Sequence, residues 1–312
     1  MKVSVALCTY NGEKYLSKQL DTILDQTLLP DEIIICDDRS SDQTMEILNE
    51  YQKNHPQIFK IFSNENNLGF IKNFEKAIYL CSNEIIIISD QDDIWDKNKI
   101  KETIDFFNNN PQFDGVFHDL KLMDNEIVQP SYLNWKYISH DSVIKDIHEN
   151  NLFVSLVNKG SFILGCALAI RKNALEKYSI KNFPIAHDYF IVQKLSIKNT
   201  LGFIPKALST YRLHPGQVYG LRYKSEENQN KENISKSQQY FKEYVWPYLK
   251  ATERFQEINP TEDLYKTELY SLFIKNRNSY LKTMNFFDKK IYMAKCIRHQ
   301  YLDLKLTDIF TI

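Results

Sequence analysis

Three carboxylates in four positions, Asp90, Asp92 and Asp93, follow the run Ile85-Ile86-Ile87-Ile88-Ser89 and precede Ile94-Trp95. Carboxylates so placed can hold a hard divalent cation through one or two oxygens and leave its other positions to water and substrate phosphates. Alone, Asp-x-Asp is a weak signal, because the same residues make a solvated acidic turn capping a helix that starts near Asp96. Two other polar segments stand in the same setting. Thr9-Tyr10-Asn11-Gly12 follows the apolar run Val3 to Cys8, and Asp37-Asp38-Arg39-Ser40-Ser41-Asp42 follows Ile33 to Cys36. A carboxylate there can accept a hydrogen bond from a base N–H or a ribose hydroxyl, and Tyr10 offers a ring for stacking on a base.

These segments meet only if the apolar runs are neighbouring strands. Successive β-branched residues read as strands buried on both faces, and ligands of open α/β sheets bind beyond the carboxyl ends of such strands. Glu13 to Gln26 carries Tyr15, Leu16, Leu20, Ile23 and Leu24 at helical spacing. Ser41-Asp42 caps a helix through Met45, Ile47, Leu48 and Tyr51; Ile58 to Phe62 is a third strand. Asn67-Leu68-Gly69-Phe70 turns into a helix through Phe74, Ala77, Ile78 and Leu80. Four strand–helix units in about a hundred residues predict a doubly wound α/β sheet. After Pro111 the pattern loosens. Val116 to His118, Ile163 to Ile170, Thr200 to Ile204 and Ala207 to Leu213 read as strands, Asp188 to Leu195 as a helix, and 129–159 as a variable loop or lid.

Residues 1–220 then form one catalytic α/β domain and 221–312 a helical extension, which has no glycine and carries Tyr240, Tyr244 and Tyr248 at i, i+4, i+8. Between Lys266 and Lys305, nine basic residues face three acidic ones. That surface suits packing on the core, pairing with a second copy of the chain, or resting on an anionic membrane.

The chain of 312 residues is 43% apolar with a formal net charge of -1, enough material for a real core and no sign of a nucleic-acid partner. The five cysteines are scattered without a Cys-x-x-Cys pair and read as free thiols of a reducing compartment. The N-terminus opens directly on a strand, and no window is apolar enough to span a bilayer. A cytoplasmic protein is expected, with contact at the inner membrane face through its basic helices.

In order and spacing, Val3-Ser4-Val5-Ala6-Leu7-Cys8-Thr9-Tyr10-Asn11, Gln26-Thr27, Glu32 to Asp42, Asn67-Leu68-Gly69 and Ser89-Asp90-Gln91-Asp92-Asp93-Ile94-Trp95 resemble a family 2 glycosyltransferase over roughly residues 1–215. The resemblance implies the GT-A fold, a doubly wound, mixed and mainly parallel sheet, and inverting transfer from a nucleotide sugar. It implies that Thr9, Tyr10, Asn11, Glu13, Asp38, Asn73 and Asp90 bind the nucleotide, and that Asp92 with His214 holds Mg2+ or Mn2+. By the same resemblance Asp188 is the catalytic base, while Trp95, Gly165, Cys166 and His187 lie along the donor and acceptor. His187 stands where the family usually carries an acid. The phrase around Asp90 resembles rhamnosyltransferase-like members, so dTDP-rhamnose is the favoured donor, with UDP-hexoses open. The acceptor implied is a lipid-linked or polysaccharide hydroxyl.

Other readings make different demands. A sugar-nucleotide-forming nucleotidyltransferase needs a glycine-rich phosphate loop, and a dinucleotide-binding dehydrogenase needs Gly-x-Gly-x-x-Gly. Gly12 is the only glycine before Gly69. A non-catalytic nucleotide-binding or scaffolding module would need neither Asp92 nor Asp188.

Overall fold

The computed structural model describes residues 1–159, 161–215 and 217, together with Asn285, Phe286, Lys289 and Lys290. The chain divides into two compact units, one over Met1–Phe153 and Ser161–Ser225, the other over Val154–Gly160 and Glu226–Ile312. The helical reading of 221–312, its tyrosine row, its basic face and Cys296 lie outside the described residues, apart from those four positions. Among the described residues no helix is long and apolar enough to cross a membrane.

The larger unit is built on one nine-stranded sheet. Its first strands are β1 (Val3–Thr9), β2 (Glu32–Asp37), β3 (Phe59–Ser63) and β4 (Ile85–Ser89), paired parallel in the order β3-β2-β1-β4. The later strands are β5 (Ile94–Trp95), β6 (Gly115–Asp124), β7 (Glu126–Gln129), β8 (Leu168–Arg171) and β9 (Leu201–Arg212). They continue the sheet as β8-β6-β9-β5, with β7 on β6. β8 runs antiparallel to both β4 and β6, and β9 lies parallel to β6. The sheet is mixed, yet most of its strands share one direction, as the GT-A fold expected from the sequence requires.

Helices α1 (Leu16–Leu24), α2 (Thr44–Asn54), α3 (Phe70–Leu80) and α4 (Lys99–Asn109) follow β1, β2, β3 and β5. Each buries one stripe: Leu16, Leu20 and Ile23 on α1, and Phe74, Ala77 and Ile78 on α3. Gly69 enters α3 with φ of 77°, a left-handed angle that costs glycine little. Behind them β1, β2 and β4 are buried along their whole lengths.

The structure corrects several boundaries. α1 starts at Leu16 rather than Glu13, because the Tyr15 and Leu16 amides first turn back onto the Gly12 carbonyl. The strand read over Ile163 to Ile170 shrinks to β8; Gly165–Ala167 is a 3-10 turn closed by Ala167 N on Leu164 O. The two short strands after Thr200 are one, β9, whose pairing with β6 shifts register where Pro205 has no N–H to donate. The region read as a loop holds α5 (Tyr132–Trp135), α6 (His140–His148) and α7 (Leu152–Lys159). Ser131 and Ser139 cap α5 and α6. α8 (Ala174–Lys177) and α9 (His187–Ile197) complete the helices described.

Candidate active site

Parallel pairing of β1, β2 and β4 brings their polar ends to one edge. Facing them are the 3-10 turn, the start of α9 and the end of β9, and the cleft between holds about 240 Å3. Thr9, Tyr10, Asp38, Asn73, Asp90, Asp92, Gly165, His187 and Asp188 all line it. His214 reaches it through Asp92, with Nε2 2.8 Å from Oδ2.

On the β1–β2 side nearly every polar atom is engaged. Asp38, buried, accepts hydrogen bonds from Asn64 Nδ2 at 2.8 Å, Leu68 N at 2.7 Å and Gly69 N at 2.9 Å. Asn73 donates to the Cys36 carbonyl and accepts from Asn64. Thr9 Oγ1 donates to Asp37, which also receives the Ser40 amide and hydroxyl and so serves as a turn brace. Tyr10, exposed, is tied to Gln91 in both directions, N to Oε1 at 2.9 Å and Nε2 to O at 3.0 Å.

Four residues chosen from sequence sit elsewhere. Asn11, at φ of 48°, accepts from the Ser41 amide, and Glu13 accepts from the Gln43 amide; both brace the β1 loop against the β2 loop outside the cleft lining. Trp95 lies in the apolar core, 4% exposed, with its backbone paired to β9. Cys166 is wholly buried behind the cleft, where burial pushes its thiol well up and keeps it protonated.

The β4 side is unlike the first. Burial raises the Asp90 carboxyl well above its ordinary range, and the charges of Asp93, Asp92 and Asp188 add to this. Asp93 is 1% exposed, which removes it from the solvated turn suggested by its sequence. The Cys166 thiol and the Arg212 amide favour its ionised form, yet neither carboxylate oxygen receives a well-formed hydrogen bond. The Asp92 carbonyl accepts from Arg212 Nε at 3.0 Å, and the Arg212 guanidinium stacks over Tyr15 at 4.6 Å. Asp188, in the first turn of α9, accepts from the Tyr189 amide.

Before it, His187 stacks on Phe74 with ring centroids 3.8 Å apart and 25° between planes, and neither ring nitrogen has a partner. Burial lowers its pKa, so the ring is neutral. Gly165 makes the room: a Cβ there would lie 2.5 Å from His187 Nε2.

Lys99, Gln91 and Arg212 drew no role in the sequence reading. Lys99 had a visible signal, since it shares a buried helix face with Thr103 and Phe107 at i, i+4 and i+8. Gln91 and Arg212 had none, because their contacts join segments 81 and 120 residues apart.

A divalent cation fits this donor set. The buried Asp93 oxygens lack donors, a lack that a hard cation satisfies, and a carboxylate oxygen of Asp90 lies within 4.8 Å of one of Asp93. Asp92 and His214 present a carboxylate and an imidazole beside them.

This fold, with an acidic cluster at the cleft, defines the class of GT-A nucleotide-sugar transferases. The model of Glycosyl transferase family 2 matches residues 4–179, more than half the chain, and the chain belongs to that family. A Haemophilus influenzae protein described as an uncharacterized glycosyltransferase is 28% identical over 240 residues, 75% of this chain and 72% of its own length. The dTDP-rhamnosyl transferase RfbG of Shigella flexneri is 29% identical over 229 residues, 69% of this chain and 73% of that one. Staphylococcus aureus TarS in complex with UDP aligns over 94% of this chain and 78% of its own, with TM-score 0.56 and 18% identity. The mannosyltransferase PcManGT of Pyrobaculum calidifontis, in complex with GDP-Man and Mn2+, aligns over 95% and 75%, with TM-score 0.54 and 15% identity. At these identities the two structures are alike in fold alone.

Proposed function

We propose that this chain is an inverting, metal-dependent glycosyltransferase. Its donor is a nucleotide sugar, dTDP-rhamnose ahead of UDP-hexoses, and its acceptor a hydroxyl of a lipid-linked or surface polysaccharide. The observation that carries the reading is the meeting of Asp90, the Asp92–His214 pair and Asp188 in one cleft. The dTDP-rhamnosyl transferase RfbG supports rhamnose, the UDP in TarS supports a pyrimidine nucleotide, and the Mn2+ in PcManGT supports the metal.

On this reading Thr9, Tyr10, Asp38 and Asn73 seat the nucleotide, with the Asp38 carboxylate as acceptor for a base N–H. Asp92 and His214 would hold Mg2+ or Mn2+, and the bound ion would supply positive charge against the leaving diphosphate. Asp188 accepts the proton of the attacking hydroxyl. One base and one displacement invert the anomeric centre, and no nucleophile for a covalent intermediate is required. Gly165 and His187 shape the donor and acceptor side. Residues 1–220 carry this chemistry, and 221–312 supply contact with the inner membrane face or a second copy.

The test is thermal shift of the full chain with dTDP, UDP, GDP and CMP, each with and without Mn2+. Native-state binding raises the melting temperature by mass action. A Mn2+-dependent shift with dTDP or UDP that Asp92→Ala abolishes is expected. No shift with any nucleotide overturns the assignment in favour of a non-catalytic module.

A further inference from the structure

Behind the acidic cluster lies a lysine with no carboxylate at contact distance. Lys99, in the first turn of α4, is 1% exposed. Its ammonium donates to the Cys166 carbonyl at 2.7 Å and to Ser209 Oγ at 3.0 Å, and sits 3.9 Å from the centre of the Trp95 ring. Cys166 is the hinge of the arrangement. Its carbonyl holds the ammonium, while its sulfur faces the carboxylates of Asp90 and Asp93 within 4.8 Å. One wholly buried residue thus separates a buried cation from two acids, one of which has no well-formed hydrogen bond on either oxygen.

A buried ammonium is costly, and lysine is rarely fully buried without a reason. The hydrogen bonds to Cys166 and Ser209 satisfy two of its three donors without neutralising its charge. Packing does not require a charge either, for methionine would fill the same volume against Trp95. Burial holds its pKa down to about 8, while the neighbouring Cys166, Asp93 and Asp90 favour its protonated form.

We propose that Lys99 is a built-in counter-cation, a positioning residue that offsets Asp90 and Asp93 while the metal is away and weakens metal binding once it arrives. This rests on the metal-dependent reading above. A positive charge behind Asp90 and Asp93 keeps four clustered acids (Asp90, Asp92, Asp93 and Asp188) tolerable in the metal-free protein. The same charge repels the incoming ion, so the metal binds loosely enough to exchange with the nucleotide it accompanies. A purely structural lysine would do neither.

Mn2+ titrated into the full chain by calorimetry, with and without UDP, and melting temperatures with and without Mn2+, separate these cases. Lys99→Gln keeps an N–H donor for the Cys166 carbonyl and removes the charge. It is expected to bind Mn2+ about tenfold more tightly than the unsubstituted chain, since a competing unit charge in a partly screened interior is worth about one power of ten. It should also melt lower without Mn2+ and recover most of that loss when saturated. Unchanged affinity, or the same loss of melting temperature with and without metal, overturns the proposal. If Lys99→Gln does not fold, the double variant Lys99→Gln with Asp93→Asn removes both charges and is expected to fold; failure of that variant also overturns it. Absence of Mn2+ binding by the unsubstituted chain, unaffected by UDP, would instead remove the metal-dependent reading and this inference with it.

Discussion

The two ends of one sheet bury carboxylates in opposite ways. At the amino end of β2, Glu32 is 3% exposed and takes hydrogen bonds from Ser4 Oγ, the Ser82 amide and hydroxyl, and Lys60 Nζ. Burial alone would raise its pKa, yet the bonds from Lys60, Ser4 and Ser82 outweigh it and hold the carboxyl at about 2. At the carboxyl end of β4, Asp93 is equally buried but lacks a well-formed bond, and burial with the neighbouring Asp92 charge pushes its pKa up. A satisfied buried acid fastens the fold. An unsatisfied one is a cost that persists where something else, absent from the chain, completes it. The same contrast recurs across the cleft, between the fully engaged Asp38–Asn64–Asn73 network and the partnerless nitrogens of His187.

The comparison breaks most sharply on activity. Asp188→Asn is expected to lower kcat by about 10²–10⁴-fold while leaving nucleotide binding intact, as loss of a general base should. Asp92→Ala should cost about a thousandfold and abolish the Mn2+-dependent thermal shift. Steady-state transfer assays and nucleotide titrations measure both. If either variant stays fully active, the open end of the sheet is not the reacting end.

Stability tests the other end. Glu32→Gln should lose about 2 kcal/mol in denaturant unfolding at pH 7 and keep its kcat, because several bonds to an ionised group are weakened far from the cleft. The sign with pH follows from a depressed carboxyl: its contribution is full above the ordinary value of 4.5 and disappears as pH falls through about 2. Unfolding of the unsubstituted chain should therefore steepen in that window, and Glu32→Gln should flatten it.

The smallest effect has the opposite sign. Asp93→Asn is expected to stabilise the metal-free protein by about 1 kcal/mol, since it relieves the repulsion between the buried Asp93 carboxylate and Asp92, while weakening Mn2+ binding. A destabilised, metal-free Asp93→Asn variant would place Asp93 with Glu32 among the structural acids.

Much of this was legible in the chain. The four isoleucines of β4 and the apolar runs of β1 and β2 announced a buried sheet, and the polar residues behind them announced an edge where a cleft could form. That is local information: period, β-branching and the identity of the next residue. The segment 129–159 hid three helices because each is short, with α5 and α6 started by single serine caps and without a long apolar stripe. Likewise Pro205 inside β9 split one strand into two by removing an N–H that a register shift makes unnecessary.

The sequence by itself therefore determined the fold class, the family and the converging set of Thr9, Asp38, Asp90, Asp92 and Asp188, since motif spacing and strand order are properties of the chain. Only the tertiary structure decided which carboxylates have partners. It moved Asn11, Glu13 and Trp95 out of the cleft, buried Asp93, closed Phe74 over His187, and set Lys99 behind Cys166. The reason is physical: hydrogen-bond satisfaction and burial depend on atoms brought together from distant positions, and a one-dimensional pattern carries no record of which of them will meet.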